Sequence, residues 1–416
     1  MPTWLAMPPE FGGRHRKVLL LVGLGSMLVA FTNTLFTQTV AFAADEFGVS
    51  NSGQGLGSAV VRWGIVISLP IVARADSDGR RPVIVALAWA APLVCALGAL
   101  APNFAVLVAT QTLGRPLGLT LDILLAIMVV EEMPDDVRAY ATGLLAVLSG
   151  LGAGVAVASL PLADISVTSW RWIYAVSLVW LPVALAITRG LPESARFVAR
   201  SRTFAGHLRG AARDGLTRNL GRICSVVFLT NIFIATMSIF QNRYLKDSRG
   251  YSALLVALFT TATSSPAAIG LVIGGRVADS RGRRRLGAVM VPVGAALLAL
   301  SFATHGAAMW WLAIAGALGL GLAYPAMAVY RGELFPTHQR GLAGGVIMTS
   351  SLVGGSIGLI GAGRAVDAGA SYGSVMLTLL VFPVVASVVV WRRYPETAHL
   401  SLEEINPEDA AASPTP

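Results

Sequence analysis

Charge is scarce in this sequence. Asp, Glu, Lys and Arg make up only 13% of residues, against roughly a quarter in a soluble domain. Most of the chain is therefore suited to lipid rather than water. Histidine is nearly as rare, at five residues, and no His/Cys spacing fits a metal site. The two cysteines, Cys95 and Cys224, fall in an apolar run and beside a basic loop, so no disulfide is expected. No apolar stretch carries a nucleophile with a partnered His, so the chain is not expected to be an enzyme. A small-residue cleavage pattern is missing after the first apolar run, which is read as a retained helix. The net charge of +9 does not imply a nucleic-acid partner, because the basic residues sit in short clusters between apolar spans and not along one face.

What remains is apolar: 55% of residues are hydrophobic and mean hydropathy is +0.69. Spans of about 20 residues, the length a bilayer core requires, can be drawn at roughly 18–40, 56–74, 82–101, 104–130, 140–163, 171–189, 221–242, 251–275, 286–304, 308–330, 341–363 and 372–391. The expected fold is an all-α membrane protein of twelve transmembrane helices. Its expected divisions are a tail (1–17), a six-helix half (18–190), a linker (191–220), a second six-helix half (221–391) and a tail (392–416). Arginines such as Arg200, Arg202, Arg209 and Arg213 make the linker a polar surface segment.

The halves are the same pattern written twice. Ala75-Asp-Ser-Asp-Gly-Arg-Arg81 returns as Ala278-Asp-Ser-Arg-Gly-Arg-Arg284, an offset of 203. Glu131-x-x-Pro-x-x-x-Arg138 returns as Glu333-x-x-Pro-x-x-x-Arg340, offset by 202. Pro192-Glu193-Ser194 returns as Pro395-Glu396-Thr397, again at 203. Lys and Arg fix the orientation: 24 of 31 fall before the first span, after even-numbered spans or at the C-terminus. Both termini are therefore expected on the cytoplasmic side. Six crossings per half make this a parallel repeat.

These motifs resemble those of the major facilitator superfamily, in its sugar-porter and metabolite-symporter branch. The loop motif Asp-x-x-Gly-Arg-Arg matches at Asp76, Gly79, Arg80, Arg81 and at Asp279, Gly282, Arg283, Arg284. Gly-Arg of helix four matches Gly114-Arg115. Pro192-Glu193-Ser194-Ala195-Arg196 and Leu402-Glu403-Glu404-Ile405 match branch endings. The resemblance implies transport of a small organic solute by alternating access through the cytoplasmic (inner) membrane, by a monomer using the proton gradient and no cofactor. Helix seven lacks the sugar porters' Gln-Gln-Leu-Ser-Gly run, helix five has no Gln, and helix one carries Asn33 where proton-linked members often have an acid. Sugar is therefore not the expected substrate.

The duplicated turns are expected to act as a gate. Asp76 and Asp279 can accept from amides at the start of the next helix and pair with an Arg across the domain interface. Gly79 and Gly282 suit a backbone at positive φ. Glu131 with Arg138, and Glu333 with Arg340, would either exchange partners in the same latch or form static bridges. Within the spans, ionisable residues are costly and hence informative: Arg62, Arg115 and Asp122. Arg115 and Asp122 lie seven positions apart on one helix, about 10 Å along one face. Asp122 is the candidate proton carrier, since desolvation favours its neutral form and an approaching Arg its charged form. The alternative is a fixed Arg115–Asp122 pair, or an anionic substrate on Arg115. Asn33 and Gln38 in helix one, with Asn231 and Gln241 in helix seven, are uncharged contact candidates; Phe31, Trp63 and Tyr324 are candidates for an apolar wall. Glycines in helices five and eleven, Gly152 and Gly354 among them, are expected to let helices approach closely.

The leading reading is a proton-coupled symporter. A proton-antiporting exporter of drug-like or biosynthetic products is the alternative, weakened by the missing Pro in Gly150-Leu-Gly-Ala-Gly154. A sensor that has lost turnover ranks below both, since a long cytoplasmic signalling domain is lacking.

Overall fold

The computed structural model describes residues 13–133, 138–193, 217–335 and 340–398, with Leu400 and Glu404. Twelve helices among these are long and apolar enough to cross a membrane. We label them α1 (Gly13–Glu46), α2 (Asn51–Val72), α3 (Arg80–Leu100), α4 (Phe104–Val129), α5 (Ala141–Asp164) and α6 (Trp170–Gly190). They continue as α7 (Asn219–Ser248), α8 (Ala253–Arg281), α9 (Arg283–Ala303), α10 (Gly306–Arg331), α11 (Ala343–Asp367) and α12 (Tyr372–Arg393). Every span drawn from hydropathy has its helix. The proposed linker lies outside the described residues except at its ends, as do Pro134, Pro336 and most of the C-terminal tail.

The chain divides into two compact units. The first holds Met1–Val49, Val60–Ser201 and Ser252–Ala257; the second holds Ser50–Ala59, Arg202–Tyr251 and Leu258–Pro416. In the first, α1 packs along α5 and α4, and α3 along α4. In the second, α7 packs along α11, and α9 along α10. The α1–α5 and α3–α4 pairings are thus repeated six helices later, which is what a structural duplication requires.

Glycine sets the closeness of two of these pairs. A Cβ on Gly152 of α5 would stand 2.1 Å from the Met27 carbonyl oxygen of α1, and one on Gly354 of α11 2.3 Å from that of Phe228 in α7. Only hydrogen fits at either place. Gly143, Gly150, Gly154, Gly344 and Gly345 have open space instead, so close approach is a property of a few of these glycines. The second unit also has an aromatic core, in which buried Tyr330 and Tyr394 meet edge to face with centroids 4.9 Å apart.

Candidate functional site

Each duplicated turn reverses the chain at a glycine. Gly79 has φ 107° and Gly282 φ 99°, a region that L side chains rarely occupy. The next helix starts at once, so its first amides need acceptors from elsewhere. Glu193 supplies them in the first unit, accepting from the Arg80 and Arg81 amides at 3.0 and 3.1 Å. Glu396 does the same in the second, accepting from the Arg283 and Arg284 amides at 2.8 and 3.2 Å. The expectation that Asp279 takes these amides is therefore corrected. Asp279 instead binds the Arg283 guanidinium at 3.1 Å, because it lies one turn back along α8 and its carboxylate faces the side chain rather than the amides. The Asp76 side chain is outside the described set.

The arginines find partners within their own unit. Arg80 pairs with Glu131 at 2.6 Å; its repeat mate Arg283 pairs with Glu333. Arg81 donates to the Leu191 and Thr188 carbonyls at 2.7 and 3.0 Å, tying the turn to the end of α6. Glu132, buried, takes Arg14 at 3.1 Å. Arg138 and Arg340 begin helices, but their side chains fall outside the described set. The Arg80–Glu131 and Arg283–Glu333 pairs each join consecutive spans of one half, and Arg14–Glu132 joins α1 to the end of α4.

At the other ends of the helices, two carboxylates absent from the expectations hold helix starts. In the first unit Asp164 accepts from the Ala253 and Leu254 amides at 2.6 and 2.9 Å. In the second Asp367 accepts from the Asn51 and Ser52 amides, both at 2.9 Å, and from the Asn51 side chain at 3.0 Å. Around it Tyr372 donates to Asn51, and buried Gln54 accepts from Arg243 at 2.9 Å. Nothing in local sequence marks these caps, since each carboxylate is remote in the chain from its amides. The repeat offset applied to every acid would have found the pair.

The three charged residues singled out within the spans, Arg62, Arg115 and Asp122, all lie in the first unit. Asn33 of α1 points its buried side-chain oxygen, which lacks a hydrogen-bond donor, at Gly118 of α4, where a Cβ would stand 2.9 Å away. Gly118 lies between Arg115 and Asp122, so Asn33 faces the stretch they bracket. The Arg62 and Arg115 guanidiniums are near enough to interact electrostatically. Arg115 and Asp122 make no ion pair or hydrogen bond among the described residues, and Asp122 is exposed. Gln38 is half-buried. In the second unit Asn231 donates to the Val227 carbonyl of its own helix at 3.1 Å, and Gln241 is half-buried. In the first unit Phe31 is fully buried against Trp180 and Trp63 is exposed; in the second Tyr324 is exposed.

The pattern matches a family model, the Major Facilitator Superfamily, over residues 22–242 and again over 221–415. The chain belongs to the major facilitator superfamily. It therefore has a transporter fold and is not an enzyme. The superfamily's solved structures include close likenesses in fold. The xylose transporter XylE from E. coli, in an inward-open form, shares 16% identity at a TM-score of 0.74, covering 94% of this chain and 99% of that one. A bacterial homologue of the human lysosomal transporter Spinster shares 16% at 0.73, covering 92% and 97%. The nucleoside transporter NupG shares 12% at 0.74, covering 91% and 100%. Among curated protein sequences nothing matches.

Proposed function

We propose that this superfamily member is a secondary active transporter that carries a small organic solute across the cytoplasmic membrane by proton symport. Asp122 carries the proton, and Arg115, with Arg62 and Asn33 beside it, receives the solute. The supporting observation is the state of α4. Arg115 and Asp122 share a helix face yet are not joined, so neither charge is used up by the other. A carboxyl left in that position can gain and lose a proton as its surroundings change, and an unjoined guanidinium can meet a polar or anionic group of the solute. The uneven distribution of Lys and Arg supports cytoplasmic termini.

Alternating access further requires contacts that can be made and broken at both membrane faces. By parity, the turns at Gly79 and Gly282 lie on one face and the caps at Asp164 and Asp367 on the other. The Arg80–Glu131 and Arg283–Glu333 pairs are the proposed cytoplasmic set.

The test uses purified protein in proteoliposomes with a pH-sensitive dye and an imposed potential, against a panel of organic acids, amines, sugars and nucleosides. Proton entry together with solute supports symport and names the solute class. Proton movement opposite to the solute makes the protein an exporter. Solute binding without proton or solute flux would sink the transport reading in favour of a sensor.

A further inference from the structure

The end of the second unit holds a basic recess. It is an open recess of about 440 Å³ between the start of α7, the end of α10 and the end of α12 with the segment after it, within the size range of small-ligand sites. Three arginines line it: Arg222, Arg392 and Arg393. No carboxylate does so among the described residues. Among the described residues Arg222 bonds only Asn219, at 3.4 Å, and its buried Nε has no acceptor there. Like-charged guanidiniums gathered around one cavity repel each other, and an anion relieves that repulsion.

Two hydrogen bonds hold the segment after α12. Tyr330 donates to the Pro395 carbonyl at 2.9 Å, and Arg284 donates to that of Tyr394 at 3.4 Å. Thr397, also lining the cavity, is buried. Burial pushes the Tyr394 hydroxyl above its ordinary range.

Leu334, on the wall of the cavity, is the repeat mate of Glu132, at the offset of 202 that also relates Glu131 to Glu333. In the first unit Glu132 neutralises Arg14; in the second a leucine stands in its place. At the offset of 203, Arg222 and Arg393 replace Leu19 and Gly190. The second half thus carries its cations at other positions, since Thr217, Asn219 and Leu220 stand where the first half has Arg14, Arg16 and Lys17, and it lacks the acid that binds Arg14.

We propose that this cavity binds a phosphoryl group. Guanidiniums match phosphate oxygens two at a time, and the recess opens at the end of a membrane-spanning bundle where lipid headgroups lie. The group can come from an anionic lipid or from phosphate in solution. The inference does not depend on the transport reading.

The experiment places the full chain in phosphatidylcholine nanodiscs and measures thermal unfolding as phosphatidylglycerol is added, and separately as inorganic phosphate is added. Stabilisation by phosphatidylglycerol identifies a headgroup site, and stabilisation by inorganic phosphate alone a soluble one. In either case Arg222→Gln combined with Arg393→Gln is expected to weaken the apparent affinity roughly tenfold or more. Arg222→Lys, which keeps the charge but loses the fork, should give an intermediate loss and guards against misfolding of the double variant. If neither probe stabilises the protein, or if the double variant responds as the wild type does, the proposal fails.

Discussion

Asp164 and Asp367, 203 positions apart, hold the starts of two different helices with the same pair of backbone hydrogen bonds. One caps α8 and the other α2, so the duplication reproduces the contact with its partners exchanged. A carboxylate at a helix start satisfies orphan amides and meets the positive end of the helix dipole.

Asp367→Ala removes the acceptors for the Asn51 and Ser52 amides. The expected cost is about 1–2 kcal/mol of stability, read as a lowered melting temperature, and a cysteine introduced at Gly53 should label faster in this background. Equal labelling rates would mean that the cap does not control exposure of the α2 start.

Gly282→Ala places a Cβ 2.7 Å from the Glu396 carboxylate at φ 99°. Strain in this region costs about 1–3 kcal/mol, and the clash disturbs the cap on α9. Thermal unfolding should show the loss; Gly275→Ala, with open space around it, is the control expected to leave stability unchanged.

Asp122→Asn tests proton coupling. Proton-driven accumulation of solute should collapse to equal concentrations inside and out, while exchange of internal for external solute continues. Full accumulation by the variant would remove Asp122 from the mechanism.

Gly354→Ala puts a methyl group onto the Phe228 carbonyl. Overpacking of this kind costs about 1–3 kcal/mol or more, and because the obstacle is backbone the helices α7 and α11 must move apart. A sharp fall in the yield of monodisperse protein is expected, with no such fall for Gly361→Ala, which has open space.

Orientation is open to a direct check. A fluorescent protein fused after residue 416 should mature in the cytoplasm, and a periplasm-dependent reporter at the same place should stay silent. The reverse result would invert both proposed faces.

The fold was legible because membrane helices announce themselves by length and composition, and because two halves with matching motifs mark their own register. The duplicated turns were legible for the same reason. Their chemistry was only half so. Asp76 and Asp279 drew attention as the acids that both copies of the turn share, yet Glu193 and Glu396 hold the amides, from 113 positions away. Local rules for helix starts read a few neighbouring residues and do not reach a capping group that arrives from another helix. Arg115 and Asp122 stood out by their cost in a bilayer; that they would remain unjoined depends on rotamers and neighbours that spacing does not determine.

The exchanged caps also impose an order on biosynthesis. Asp164 waits only 89 residues for the Ala253 amide, but Asn51 waits 316 for Asp367. Through most of translation the start of α2 thus has amides without their final acceptor, and α11 supplies it almost at the end. A chain that stalls before residue 367 carries an unfinished helix end at its second span, which distinguishes it from the completed protein for any membrane protease that surveys unpaired backbone.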